Sequence, residues 1–224
     1  MLALDVAALG CRWEMLCAIV DRQQPGPAPG ALADAWRRGR LDATQLLTAT
    51  LAGRIDSIHT AVNELGLDAG MAAVVLRLRL FPDLCRVAEA LAPLRAGCRW
   101  DSGYCPICGS WPLLGEYRGL EQTRYLRSGL CAASWEFGRL RCPFCATTDH
   151  RNLGYFHVEA EEGKYRAATC SVCRGYVKML STLVELSPPQ LLVADVATTH
   201  LDLIAAERGY ESGGIRSQGS GIGA

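Results

Sequence analysis

Three Cys-x-x-Cys pairs are the residues best placed to do chemistry: Cys105–Cys108 in YCPICG, Cys142–Cys145 in CPFC and Cys170–Cys173 in CSVC. A fourth is half present, because RYLRSGLC has Ser128 where a cysteine would complete Cys131. A two-residue gap lets a tight turn bring both sulfurs to one side. Two such turns can surround a divalent or trivalent ion tetrahedrally, with bonds of about 2.3 Å. Pro106 and Pro143 stiffen their turns, and Gly109 suits the positive φ that follows such a pair. Pairing by order gives a complete set, Cys142, Cys145, Cys170 and Cys173, with 24 residues between its pairs. The other set is Cys105, Cys108 and Cys131 with Ser128 in fourth place. A hydroxyl is a poor ligand near neutral pH, since losing its proton is costly and oxygen is harder than sulfur. That set is expected to be a three-thiolate site completed by another group, a weak site, or a packed remnant, and the remnant is favoured. Interleaved pairing stays open.

Eleven cysteines in a small exported chain would suggest disulfides. Seven of them lie between Cys105 and Cys173, six in tight pairs, which is the pattern of metal knuckles. A dithiol that cycles to a disulfide would favour a helix start, and strand-like sequence flanks these pairs. Cys11, Cys17, Cys85 and Cys98 have no such partner and are expected as small buried apolar residues. His59, His150, His157 and His200 do not lie on the first hairpin. His157 and His200 are expected to pack or lie at the surface rather than to ligate, and Lys178 to alternate outward from a strand.

These ligands need short strands and turns to carry them. From 99 to 186 the sequence supplies aromatic and β-branched runs: SWPLLGEYR (110–118), TRYLRSG (123–129), SWEFGRLR (134–141), RNLGYFHVEA (151–160), YRAAT (165–169) and GYVKMLSTLVEL (175–186). GLEQ (119–122) and EEGK (161–164) are turns. Knuckle, hairpin, knuckle and strand thus occur twice, as two tandem modules. Each is too small for a convincing apolar core, so metal binding is expected to supply much of its folding energy.

Residues 1–97 read as helical. DRQQPGPAPG (21–30) breaks off the first helix. ALADAWRRG (31–39) places Leu32, Ala35 and Trp36 at helical spacing, with Gly39 as a stop. Asp42 caps the next helix, which buries Leu46, Leu47 and Leu51. Further helices are expected over 53–65, 69–80 and 83–95, the last starting near Pro82, although LRLRLF (76–81) also alternates as a strand would. DVATTHLDLIAAERGY (195–210) predicts a closing helix with Asp195 as N-cap, and the tail 211–224 is expected to be flexible.

Charge and hydropathy narrow the function. Lys plus Arg and Asp plus Glu balance at 23 each, so no long-range field favours nucleic acid or an acidic membrane surface. No apolar run reaches the roughly 18 residues of a membrane span. The apolar start lacks a basic n-region and a cleavage signal, so a cytoplasmic location is expected.

The ordered set CPICGSWP (105–112), RYL with Cys131 and Trp135, CPFC (142–145), RAATCSVCRGYVK (166–178) and DVATTHLDLIAAERGY (195–210) resembles the formate dehydrogenase accessory proteins, the FdhE family. The likeness covers about half the chain. The N-terminal half resembles the family only as a helical region, and a short one. The resemblance implies an α+β fold: a helical domain (1–98), two rubredoxin-like or zinc-ribbon modules (99–141 and 142–186), a closing segment and helix (187–210) and the tail. It implies iron, with zinc the alternative, held by Cys142, Cys145, Cys170 and Cys173, and less completely by Cys105, Cys108 and Cys131. It also implies a maturation factor rather than an enzyme, one that binds the molybdenum- or tungsten-containing catalytic subunit of formate dehydrogenase. Two departures concern this chain's own residues. Ser128 replaces a family cysteine, and Ala194-Asp195 stands where the family commonly has an acidic pair, which makes Asp195 a candidate client contact. Self-association stays open.

Two other classes compete. Zinc ribbons often bind nucleic acid, but between Arg99 and Lys178 eleven Lys and Arg face eight Asp and Glu. A loaded four-thiolate site of about −2 removes most of that excess. A thiol oxidoreductase, or a hydrolase on an open three-Cys site, finds no Ser-His-Asp order, Gly-rich phosphate loop or His-Glu-x-x-His motif.

Overall fold

The computed structural model describes residues 28–66, 68–95, 97–159 and 163–213, with residues 15, 16, 18 and 19. The readings for residues 1–14, Cys11, Cys17, most of the Pro/Gly break and the tail beyond Gly213 lie outside the described residues. The chain forms two compact units, Met1–Asp83 and Leu84–Ala224.

The first unit is helical, as expected. Helices α1 (Ala28–Arg37), α2 (Ala43–Leu51) and α3 (Ile55–Asn63) are followed by α4 (Ala69–Arg95), which continues into the second unit. Asp42 does cap α2, its carboxylate accepting from Gln45 N–H at 3.0 Å, and Gly39 takes φ +65° just past α1. Leu32, Ala35, Leu46, Leu47, Ile58, Val62, Leu76 and Leu80 are buried. The sequence predicts two helices where α4 is one. Pro82 lies within it on the exposed face, where solvent can meet the carbonyl that the missing N–H leaves unpaired. The Leu76/Leu80 spacing of four prevails over the alternation of LRLRLF, and Arg79 pairs with Asp83 at 2.9 Å one turn on.

The second unit is built on one seven-stranded sheet. Its strands are β1 (Pro112–Arg118), β2 (Thr123–Ser128), β3 (Ser134–Glu136), β4 (Leu153–Phe156), β5 (Tyr165–Cys170), β6 (Gly175–Thr182) and β7 (Glu211–Ser212), in the order β3-β2-β1-β6-β5-β4 with β7 also on β6. Each predicted hairpin is present: β1 with β2, and β4 with β5, both antiparallel. The modules are not separate, however. Strand β1 pairs with β6 in parallel, from Leu114 opposite Lys178 to Arg118 opposite Thr182, and fuses the hairpins into one sheet. They also share one core, in which Leu126, Trp135 and Phe137 pack with Val177 and Met179. A shared sheet and core thus add to whatever folding energy metal binding supplies. Glu211 and Ser212, assigned to the tail, are strand residues.

The predicted closing helix is two helices, α5 (Pro188–Ala197) and α6 (Thr199–Glu207). Asp195 is not a cap. Helix α5 starts at Ser187, where Ser187 N–H donates to Gln190 Oε1 at 2.9 Å and two prolines occupy the first turn. The break falls at Thr198, whose hydroxyl donates to Ala194 O at 2.7 Å and competes with the backbone ladder. Lys178 is buried rather than outward-facing. It lies on a central strand under the closing helices, and its ammonium reaches Asp195 Oδ1 at 2.6 Å and Asp202 Oδ2 at 2.7 Å. No described helix is long and apolar enough to cross a membrane.

Candidate metal centres

Each knuckle is a short, repeated piece of backbone. The residue after the second cysteine takes positive φ in all of them: Gly109 (+73°), Ala146 (+59°), Arg174 (+56°) and, in the incomplete one, Ala132 (+55°). Outside glycine this conformation is strained by about 1–2 kcal/mol, so the turn is specified by the fold around it. Two hydrogen bonds frame the first intact turn, Cys105 N to Ser110 O (2.8 Å) and Gly109 N to Cys105 O (3.0 Å). The same pair recurs as Cys142 N to Thr147 O (2.9 Å) with Ala146 N to Cys142 O (3.1 Å). It recurs again at the Ser128 turn, as Ser128 N to Ala133 O (2.9 Å) with Ala132 N to Ser128 O (3.1 Å). The Ser128 knuckle carries an oxygen where the others carry a sulfur, on the same backbone geometry.

The pairing follows sequence order. Cys142, Cys145, Cys170 and Cys173 converge, all four sulfurs lying within 4.8 Å of one another. Cys142 and Cys173 are 3.6 Å apart, and Cys145 and Cys170 3.7 Å. Four sulfurs at 2.3 Å from one ion would be about 3.8 Å apart, so this donor set fits a tetrahedral thiophilic ion. Hydrogen bonding from Cys142 holds the Cys173 thiol down to about 5, while that bond and burial push Cys142 up. Cys145 is raised, by desolvation first. A cation is what would draw the remaining protons off.

Cys105, Cys108 and Cys131 form the other group, the first in chain order, again within 4.8 Å, with Cys105 and Cys131 3.6 Å apart. Ser128 Oγ lies 3.3 Å from Cys108 Sγ and 2.9 Å from Ser110 Oγ, and accepts from Leu130 N–H (3.1 Å) and Cys131 N–H (3.2 Å). Ile107 N–H approaches Cys105 Sγ (3.4 Å) in the corresponding way. Ser128 thus occupies the fourth ligand position with oxygen in place of sulfur. Hydrogen bonds from Cys105 and Cys131, then from the Ser110 and Ser128 hydroxyls, hold Cys108 down to about 2. Cys131, donating to Cys105 and Cys108, is pushed up. Cys105 and Cys131 also belong to the shared apolar core, which supports the packing expected for this group.

The groups are docked through their turns. Trp100, Tyr104, Trp111 and Phe144 contact in series at 5.3, 6.1 and 5.5 Å, running from beside the Cys105 knuckle into the Cys142 knuckle. Gly103 is required there, because a Cβ would stand 1.8 Å from the Pro143 carbonyl oxygen.

Of the unpaired cysteines, Cys85 is buried as expected and Cys98 is exposed, contrary to expectation, just beyond α4. No histidine joins either group among the described residues; His157 follows β4 and stacks on Tyr155 at 6.1 Å. Asp195 is engaged by Lys178. Sequence reasoning missed the support beside the Ser128 turn. Arg127, fully buried, donates through Nε and a terminal nitrogen to Ala132 O (3.2 and 3.0 Å), pairs with the buried Glu116 and reaches Leu186 O at 2.9 Å. Arg118 also holds Glu116, at 2.5 Å. Two arginines and one glutamate on alternating strand positions were the only signal.

Comparison with known proteins agrees with this architecture. Residues 140–217 match the family described as FdhE, C-terminal domain. An FdhE homolog from Stutzerimonas stutzeri is 41% identical over 116 residues, 50% of this chain and 37% of that protein. One from Aquifex aeolicus is 33% identical over 50% of this chain and 40% of its own length, so the match spans about two fifths or less of these relatives. The FdhE homolog from Rhizobium meliloti is 29% identical across 95% of this chain and 69% of that protein. The crystal structure of the FdhE protein from Pseudomonas aeruginosa superposes with a TM-score of 0.60 at 28% identity, covering 94% of this chain and 71% of that one. The chain is thus similar to FdhE proteins along nearly its whole length, and residues 140–217 match the C-terminal domain of that family.

Proposed function

We propose that this protein is an accessory factor in formate dehydrogenase maturation, which binds the catalytic subunit before that enzyme is complete and is not itself an enzyme. Likeness to FdhE proteins, through the matched C-terminal domain and the relatives, is the observation that carries the reading. Cys142, Cys145, Cys170 and Cys173 hold one iron or zinc ion, and Cys105, Cys108 and Cys131 with Ser128 form a site that is weakly metallated or empty. The loaded site pins the ends of β4–β6, so metal supports the surface offered to the client. Exposed apolar side chains on the closing helices, Val193, Val196 and Leu203, suit a protein partner. Asp195, 30% exposed and already paired with Lys178, lies at the edge of that surface. The protein acts in the cytoplasm, where thiols stay reduced.

The test is co-purification with the formate dehydrogenase catalytic subunit of the same cell. Recovery of that subunit is expected, with loss of recovery for a Val193→Asp/Leu203→Asp variant that retains its metal. Failure to bind it, while a longer FdhE relative does, overturns the reading. Iron on four thiolates is red and zinc colourless, so absorption with elemental analysis identifies the ion.

A further inference from the structure

Four arginines converge beside the Cys142 knuckle with no acid among them. A cavity of about 230 Å³ is lined by Arg124, Arg139, Arg141, Arg166 and the aromatic Tyr117 and Tyr155, and no aspartate or glutamate lines it. Among the described residues, none of these guanidiniums pairs with a carboxylate. They rest on aromatic rings instead: Arg139 and Arg166 each lie 5.1 Å from the Tyr117 centroid, Arg166 lies 5.4 Å from that of Tyr155, and Arg124 and Arg141 lie 5.5 and 5.6 Å from that of Phe137. Ring faces hold a guanidinium in place without neutralising it.

Arg124 is the observation that points to a ligand. It is only 4% exposed, and one terminal nitrogen donates to the carbonyls of Gly138 (3.1 Å) and Arg141 (2.9 Å), fixing the loop that carries Arg139 and Arg141. Its Nε–H is buried with no partner. A buried donor without a partner is destabilising by an amount that folds rarely tolerate unless something else meets it. Compensation of the neighbouring thiolates explains only part of this charge. A loaded four-thiolate site with a divalent ion carries about −2, against four fixed positive charges, so an excess of about +2 remains.

We propose that this cavity is a binding site for a small phosphate monoester. A phosphate group carries nearly two negative charges near neutral pH, which matches the excess. Arginine forks match its oxygens in paired hydrogen bonds. The volume lies below the roughly 300–1,000 Å³ of sites for larger ligands, so it suits the phosphate and a few attached atoms. The site is independent of any protein client and goes beyond the maturation role.

The experiment is calorimetric titration of the metal-loaded full chain, at constant ionic strength, with inorganic phosphate, a sugar phosphate and a phosphoserine peptide. Saturable binding of phosphate and of the sugar phosphate at one site per chain is expected. Arg139→Gln/Arg166→Gln should weaken it by at least about tenfold with metal content and circular dichroism unchanged. Arg38→Gln/Arg151→Gln, which removes the same charge from exposed positions, should leave it unaltered. No saturable binding, equal losses in the two double variants, or tighter binding of the peptide than of the sugar phosphate would each overturn the assignment. Because no client is present, a failure here is distinct from a failure of the maturation reading.

Discussion

Replacing Ser128 with cysteine should create a second complete metal site, and the structure allows the balance to be worked out. The three thiols of the first group already lie within 4.8 Å of one another, and the Ser128 oxygen is 3.3 Å from Cys108 Sγ, against about 3.8 Å for sulfurs around a tetrahedral ion. The backbone needs no adjustment, because the Ser128 turn has the hydrogen-bond frame of the intact knuckles. The substitution removes the Ser110–Ser128 hydrogen bond, about 1 kcal/mol, and puts a larger atom at a fully buried position, about 1–3 kcal/mol. A complete structural site is worth about 10–16 kcal/mol of apparent binding energy, so the gain prevails. Elemental analysis of protein made without affinity-tag histidines should find about one ion per chain for the natural sequence and about two for Ser128→Cys. Cobalt substitution should add a second thiolate charge-transfer band of similar intensity. A folded variant with its Cys142 site loaded and still one ion would refute the reasoning. Two ions in the natural sequence would refute it equally, since the oxygen would then be an adequate ligand.

Other expectations follow from the same contacts. Cys142→Ser should empty the complete site and lower amide exchange protection chiefly in β4 and β5, while β1, β2 and β6 stay protected by the shared core; exchange mass spectrometry reads both. In the metal-free protein the contribution of the Cys142–Cys173 pair to stability should be greatest near the ordinary thiol value of 9.0. Cys173, depressed to about 5, contributes stability that is full above 9 and is lost as pH falls through about 5, whereas Cys142, raised, withdraws stability as pH climbs above 9. Urea midpoints across that range check the sign on each side. Lys178→Met should cost about 2–3 kcal/mol, less than a fully buried pair because Asp195 and Asp202 are 30% and 34% exposed. Chemical denaturation measures it, with metal content expected to be unchanged.

What could be read from the sequence was local. A two-residue gap between cysteines specifies a turn, a hairpin lies between two turns, and Asp42 reaches a backbone N–H three residues away, so each was visible without knowledge of anything distant. The missing features are long-range. Nothing in GYVKMLST says that its partner is PLLGEYR more than fifty residues earlier, in parallel, and this one pairing turns two modules into a single sheet. Burial of Lys178 depends on where the closing helices lie, and the arginine cavity collects side chains from β2, β5 and the 138–141 loop that share no motif. At Thr198 the cause is local. A threonine at mid-helix is usually tolerated, and only its hydrogen bond back to Ala194 O reveals the break.

The shared sheet also explains how the first group tolerates a serine in fourth place. An isolated knuckle module loses most of its folding energy with its ion. Here Cys105 and Cys131 sit in a core with Leu126, Trp135, Phe137, Val177 and Met179, and Arg127 with Glu116 clamps the Ser128 turn from behind. With packing and that ion pair holding the turn, position 128 can carry oxygen in place of sulfur without unfolding the sheet. The second group has less cover: Cys145 is exposed, Cys173 is half-buried, and β4 is an edge strand of four residues. Metal dependence should therefore differ between the two ends of one sheet, and removing metal should loosen the end with four thiols more than the end with three.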